Sequence, residues 1–380
     1  MEFNPSPKPT VGVEWELQLL DPETLDLIDG IMPLMEFFPN AEFVKPEYIQ
    51  SCVELTSCVS ANSENAIAHI HGSLTKMLQR CAELGMDACG AGTHPFCRRL
   101  ALITPLPRYQ RIEKDEGHLA HTQITFSTHV HVGMRSGDEA IRVISYLVPA
   151  LPAFIALSAN SPFWRGHETG HAAYRHRILA AAPSYSLPPS LQTWNEFVDF
   201  MDAAKRAGMV HGIKDIHWYI RPHPDFGTIE IRTMDAASDL TTLHALVSFA
   251  RTLALGLRDA SAKEVSKLLP LDLPDWISRE NCFRAAHHGL SADYIVDVAG
   301  NLRPLTELIT ELIEFCRPTA DKVDEVSGLE LATNLLTGVP GYERQMQSYE
   351  KSHSTRSVVK SLADALVDDT SAEDLAIGRS

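Results

Sequence analysis

Three short stretches each carry a pair of chemically active side chains two residues apart: Glu14 with Glu16, His129 with His131, and Glu230 with Arg232. On an extended strand, residues i and i+2 project from one face, so each pair is presented together. The flanking positions are apolar, with Val11, Val13, Trp15, Leu17 and Leu19 around the glutamates and Val130 and Val132 around the histidines. This alternation is that of a strand buried on one side. If the three strands are neighbours, a single surface collects three carboxylates, two imidazoles and a guanidinium. Such a set suits Mg2+ or Mn2+ held against nucleotide phosphates, because carboxylate oxygens are hard ligands and one imidazole is compatible with them. Glu47 and Glu54, on either side of another extended stretch, offer further carboxylates. Period alone also allows a plainer reading, in which each pair is the wet side of an ordinary strand and Glu230 with Arg232 is only an ion pair. The choice turns on whether the strands converge.

Other candidates carry less. Arg165, Arg175, Arg177 and Arg221 have the planar guanidinium that grips phosphate or carboxylate bidentately, though each is equally a surface charge. His69 and His71 fall in a helical segment, where i and i+2 do not share a face, and read as structural. His287 and His288 read as helix-surface residues. A Ser-His-Asp order, a Cys-His signature, a Rossmann fingerprint and a Walker A loop are all absent. The paired histidines and carboxylates are compatible with an ATP-dependent ligase, with a hydrolase that activates water on an amide or amidine, or with a non-catalytic metabolite-binding protein.

The elements that must position these groups follow from local pattern. A strand is predicted over 11–19, a turn at Asp21-Pro22-Glu23-Thr24, and a hairpin partner over 25–29. Apolar residues at helical spacing run from Ser60, a candidate N-cap, to Leu84, with Gly85 as the stop. Strands are predicted over 87–95, 123–134, 216–221 and 228–233. Helices are predicted over 138–159, broken by Pro149 and Pro152, and over 191–207, with 160–189 a functional loop between them. From Leu240 onward the pattern is helical, over 240–262, 292–298, 304–316 and 329–336, and the polar tail 368–380 is expected to fray. Strands first and helices last imply an α+β fold with an antiparallel sheet, in a single catalytic domain across 1–380.

Composition narrows the partners. With 33 Lys plus Arg against 49 Asp plus Glu, the formal charge of −16 disfavours a nucleic-acid backbone or an anionic membrane as partner, while a divalent cation would still let the carboxylates hold a nucleotide's phosphates. The 44% hydrophobic share supports a large core. Seven cysteines without a C-x-x-C, and a polar, proline-rich start, point to a reducing cytoplasm. The apolar stretch 146–159 is too short to span a bilayer. The helical surfaces after Leu240 leave room for a homodimer without requiring one.

Read in order, the blocks Gly12-Val13-Glu14-Trp15-Glu16, Val44-Lys45-Pro46-Glu47, Val53-Glu54-Leu55, Gly92-Thr93-His94-Pro95-Phe96, His129-Val130-His131-Val132-Gly133, Leu157 to Trp164 and Gly227 to Arg232 closely resemble glutamate-cysteine ligase family 2, the carboxylate-amine ligases. The resemblance covers about residues 10 to 350. It implies the catalytic fold of the glutamine synthetase superfamily, a curved antiparallel sheet with a metal-binding concave face backed by helices. It further implies small-molecule substrates: ATP with Mg2+ or Mn2+, glutamate, and cysteine or another small amine, joined through a γ-glutamyl phosphate. By similarity, Glu14, His129 and Glu230 would hold one metal, and Glu16, Glu47 and Glu54 the other. Arg232 and Glu54 are the implied catalytic residues, Arg232 facing the transferring phosphoryl group. His131, Arg221 and Arg175 would contact the nucleotide. Two departures stand out: Tyr219 replaces an acid usual in the family, and Gly341-Tyr342-Glu343-Arg344-Gln345 keeps only the Arg-Gln pair of its block.

Overall fold

The computed structural model describes residues 1–182 and 184–377. Its centre is a seven-stranded antiparallel sheet: β1 (Val11–Leu20), β2 (Val44–Pro46), β3 (Cys52–Thr56), β4 (Asp87–Cys89), β5 (Ser127–Gly133), β6 (Ile220–His223) and β7 (Thr228–Asp235). The order across the sheet is β2-β3-β1-β5-β7-β6, and β4 pairs with the last three residues of β1, beyond the reach of β5. The strands bearing the three predicted pairs are therefore neighbours.

Alternation sends the apolar side chains of these strands to the other face, where Trp15, Leu17, Val130, Ile229 and Ile231 are fully buried. Helices Ser63–Glu83, Leu151–Ser158 and Leu240–Asp259 pack against that face. The Trp15 indole N–H donates to the Ala237 carbonyl at 3.0 Å, so this side chain fills the core without stranding its polar atom. One continuous apolar core runs from Val11 to Leu366, and a smaller cluster around Phe197, Met201 and Trp218 lies beneath helix Trp194–Arg206. Helices Gly137–Ser158 and Leu240–Asp259 reach the length and hydropathy of a membrane span, but 78% and 83% of those windows are buried inside the protein, as core helices are. An ion pair joins Arg251 to Glu325 at 2.6 Å with both side chains inaccessible, and the backbone N–H of Ser63 donates to the same carboxylate. All seven cysteines are free, and all but Cys58 are buried.

Several boundaries differ from expectation. The 25–29 segment forms only a bridge from Leu27 to Leu20, because the edge of β1 is taken by β3 and β4. Residues 292–298 are not helical: Asp293–Ile295 pairs with Leu302–Pro304 as a hairpin. The Asp297 side chain caps the N–H groups of Ala299 and Asn301, and Gly300 sits at φ +81, a turn chemistry that overrides local helical spacing. The 160–189 loop contains a two-stranded ribbon at Phe163–Trp164 and His167–Glu168 and a short helix, Arg175–Leu179. Helices Pro107–Glu116 and Gly341–Ser352 were not expected as elements, and helix Asp275–His288 carries His287 and His288 as expected. The final helix, Thr355–Ile377, continues through most of the tail expected to fray, and 378–380 lie outside the described residues.

Candidate active site

Pairing register assembles the site. Glu14 stands opposite His129 and Glu16 opposite Glu54, while His131 faces Glu230, which in turn faces Arg221. Cross-strand partners share a face, so five strands deliver their polar side chains to one surface. Above it opens a cavity of about 310 Å³. Its wall includes Glu14, Glu16, Glu47, Glu54, His129, Arg175, Arg221, Glu230 and Arg232 from the expected set.

Two trios have ligand atoms within 4.8 Å of one another: Glu14, His131 and Glu230, and Glu16, Glu47 and Glu54. The second trio matches the set the resemblance implies. The first does not, because His131 takes the place assigned to His129. A bulge explains the exchange: two steps along β5, from Thr128 to Val130, are matched by three along β7, from Met234 to Ile231. His129 thereby lies beside Arg232, with Nδ1 3.5 Å from Nη1, and also 3.1 Å from Glu14 Oε2. His131 falls squarely opposite Glu230. Its Nδ1 is 3.0 Å from the Thr228 hydroxyl, and its Nε2, 3.4 Å from Glu14 Oε1, makes no hydrogen bond. Both imidazoles are held through Nδ1 with Nε2 making no hydrogen bond, an arrangement open to a metal ion.

The two trios differ in charge. Burial opposes ionisation of Glu14, but His129 and His131 outweigh it and hold the carboxyl well below its ordinary range. Burial is likewise outweighed at Glu230 by Arg221 and Arg232. Both are ready anions. In the other trio burial pushes Glu54 well above the ordinary carboxylate range, with Glu14 and Glu47 adding to it, and burial together with the Glu47 charge lifts Glu16 to about 7. Burial raises Glu47 as well. Crowding and burial favour the protonated forms of these three carboxyls, and a divalent cation would compete with those protons. Hard oxygens in both trios and one bare imidazole nitrogen fit such a cation.

The arginines separate into distinct roles. Arg221 is buried with four of its five N–H donors engaged: Nε and Nη2 on the two Glu230 oxygens, at 2.7 and 3.1 Å, and Nη1 on the carbonyls of Ile213 and Ile216. These contacts orient Glu230, while Arg221 stands on the cavity wall where the resemblance implies a nucleotide contact. Arg232 also contacts Glu230 but is only half-buried and faces the cavity. Arg175 is 3% exposed with Nε and Nη1 unpartnered, a buried cation open to an anionic ligand. Its backbone N–H donates to the Ser161 hydroxyl, which donates to buried Asp235, and Gln345 Nε2 clamps the adjacent Asn160. The retained Gln345 thus anchors the loop that presents Arg175. Tyr219 packs its ring on Tyr185 and His176 at 4.8 and 5.5 Å and is absent from the cavity wall, so the aromatic extends the site's backing where an acid is usual. Sequence reasoning missed Arg108, Lys214, His217, His223 and Phe226 on the wall. All but His223 stand on a helix end, loops and turns where no period marks a face, and His223 ends β6, beyond the strand expected over 216–221.

Residues 10–361 match the family model described as glutamate-cysteine ligase family 2. The chain belongs to this family. A Trichormus variabilis protein provisionally named glutamate--cysteine ligase 2 is 41% identical over 366 residues, which cover 96% of this chain and 95% of that one. A Thermobifida fusca protein with the same provisional name is 34% identical over 388 residues, covering 100% and 95%. Among solved structures, a glutamate--cysteine ligase from Francisella tularensis in complex with AMP superposes with a TM-score of 0.62 at 12% identity, covering 100% of this chain and 96% of that one. A bifunctional glutathione synthetase from Pasteurella multocida gives 0.65 at 12% identity, covering 96% and 52%. At such identity the likeness is one of fold. This protein is a ligase of glutamate-cysteine ligase family 2, and the hydrolase alternative is not favoured.

Proposed function

We propose that the protein is an ATP-dependent carboxylate-amine ligase of the cytoplasm that activates the side-chain carboxylate of glutamate and joins it to cysteine or another small amine. The observation that carries this reading is the pair of trios, Glu14-His131-Glu230 and Glu16-Glu47-Glu54, whose five carboxyls line one cavity with Arg232 and Arg175. Magnesium or manganese held by these trios would neutralise phosphate oxygens and align the reacting groups. Arg232, aimed into the cavity and always charged, stabilises negative charge on the phosphoryl group as it passes to glutamate. Arg175 receives an anionic oxygen of nucleotide or amino acid. Arg221 fixes Glu230 in one orientation, and His129 Nδ1 lies within reach of both Glu14 and Arg232, bonding one or the other according to its tautomer. The acyl phosphate so formed is attacked by the amine, and phosphate leaves.

The test is ADP release from Mg-ATP with glutamate, with and without cysteine and a panel of other amines, with Glu14→Ala as control. ADP formed only with both substrates, matched by γ-glutamyl product and lost in the variant, supports the ligase and identifies the acceptor. Absence of substrate-dependent ADP with every pair would overturn the glutamate-cysteine assignment.

A further inference from the structure

At the rim of the cavity, on the turn between β6 and β7, Phe226 is 59% exposed. A lone surface aromatic needs no explanation. This one has three features that an incidental residue lacks. Its ring lies parallel to the buried imidazole of His223, with centroids 4.1 Å apart and planes 7° from coincidence. It touches the edge of His131, at 5.7 Å, whose other side faces Glu14. The turn is also bolted down: the Asn4 N–H donates to Pro224 O at 2.9 Å, the Asn4 side chain donates to Asp225 O at 3.1 Å, and Met134 N–H donates to Gly227 O at 2.9 Å. Gly227, at φ +65, lies so close to the Asn4 carbonyl that no Cβ fits there.

We propose that Phe226, backed by His223, is the platform on which the nucleobase of the bound nucleotide stacks. The inference rests on the nucleotide-dependent reading above and extends it to the end of the ligand that the trios do not touch. His131 is the geometric hinge of the argument. It belongs to the trio suited to cation-bridged phosphates and also contacts the platform, so phosphates gathered at Glu14, His131 and Glu230 leave the rest of a nucleotide reaching toward Phe226. A flat, fixed ring with an exposed face suits a purine. His223 adds a buried Nδ1 with no partner, available to a polar group on the ligand.

The experiment compares equilibrium binding of ATP and of inorganic tripolyphosphate, each with Mg2+, by calorimetry on the wild-type protein, Phe226→Ala and Phe226→Trp. The exposed position lets the variants fold. Wild-type protein should favour ATP over tripolyphosphate, Phe226→Ala should weaken ATP by about tenfold while leaving tripolyphosphate unchanged, and Phe226→Trp should keep ATP tight. Unchanged ATP affinity in Phe226→Ala, or equal weakening of both probes, overturns the platform alone. Failure of wild-type protein to bind either probe overturns the nucleotide-dependent reading, and the platform with it.

Discussion

At the scale of single residues, the site is defined by carboxyls whose ordinary ionisation the fold has shifted in opposite directions. Glu14 and Glu230 are fixed as anions, whereas Glu16 is lifted to about 7 by burial and by Glu47. A carboxyl with a raised folded-state value binds its proton more tightly when folded, so its contribution to stability falls as pH rises from the ordinary carboxylate range through about 7. Glu16→Gln should therefore be more stable than wild type in metal-free buffer at about pH 8, by roughly 1 to 2 kcal/mol because the group is half-buried and partly screened, and should lose that advantage by about pH 5. Urea unfolding at the two pH values checks this, and an equal offset at both would contradict the crowding of the trio. Arg232 makes a separate prediction. Arg232→Ala should slow single-turnover phosphoryl transfer by about a thousandfold, with ATP affinity little changed, because its charge is needed chiefly as the phosphoryl group moves.

At the scale of elements, the strands place the chemistry because every second residue of β1 is anchored in the core. Trp15 sits between Glu14 and Glu16, fully buried, so the position of both carboxylates depends on its packing. Trp15→Ala should cost about 3 to 5 kcal/mol in denaturant unfolding and depress turnover as well, and a stable but inactive variant would show that packing and site are separable. The same alternation made this part legible in the sequence. Side-chain period identified Glu14, Glu16, His129, His131, Glu230 and Arg232 as face-sharing pairs, residue chemistry marked Glu47, Glu54 and Arg175 as candidates, and the family resemblance gave them roles. What period cannot express is register. The bulge between β5 and β7 exchanges the two histidines, and Arg221 turns out to be engaged by Glu230 and two carbonyls. Neither fact exists until the strands are paired. Phe226 was invisible for a related reason, since a turn has no period to betray its inward side, and His223 lies two residues beyond the point, Arg221, at which the expected strand ended.

At the scale of the whole molecule, sheet and helices share one core, and the chain is stitched across its length by Arg251 and Glu325. The pair joins helix Leu240–Asp259 to the segment before helix Val326–Thr337, and contacts Pro9, Ala61 and Ser63 near the start of the chain. Glu325→Gln leaves a buried guanidinium undercompensated and should cost about 3 to 5 kcal/mol, lowering the midpoint of one transition seen alike by tryptophan fluorescence and far-UV circular dichroism. Two separated transitions would argue for independent domains. The burial of six of the seven cysteines has a consequence of another kind. A ligase that accepts cysteine works amid thiols and disulfides that exchange with any accessible sulfhydryl, yet here only Cys58 is within reach of solvent. Ellman's reagent should titrate a single fast thiol in the native protein and all seven after unfolding, so that mixed-disulfide modification by the protein's own metabolic surroundings is confined to one position, remote in sequence from every arginine of the site.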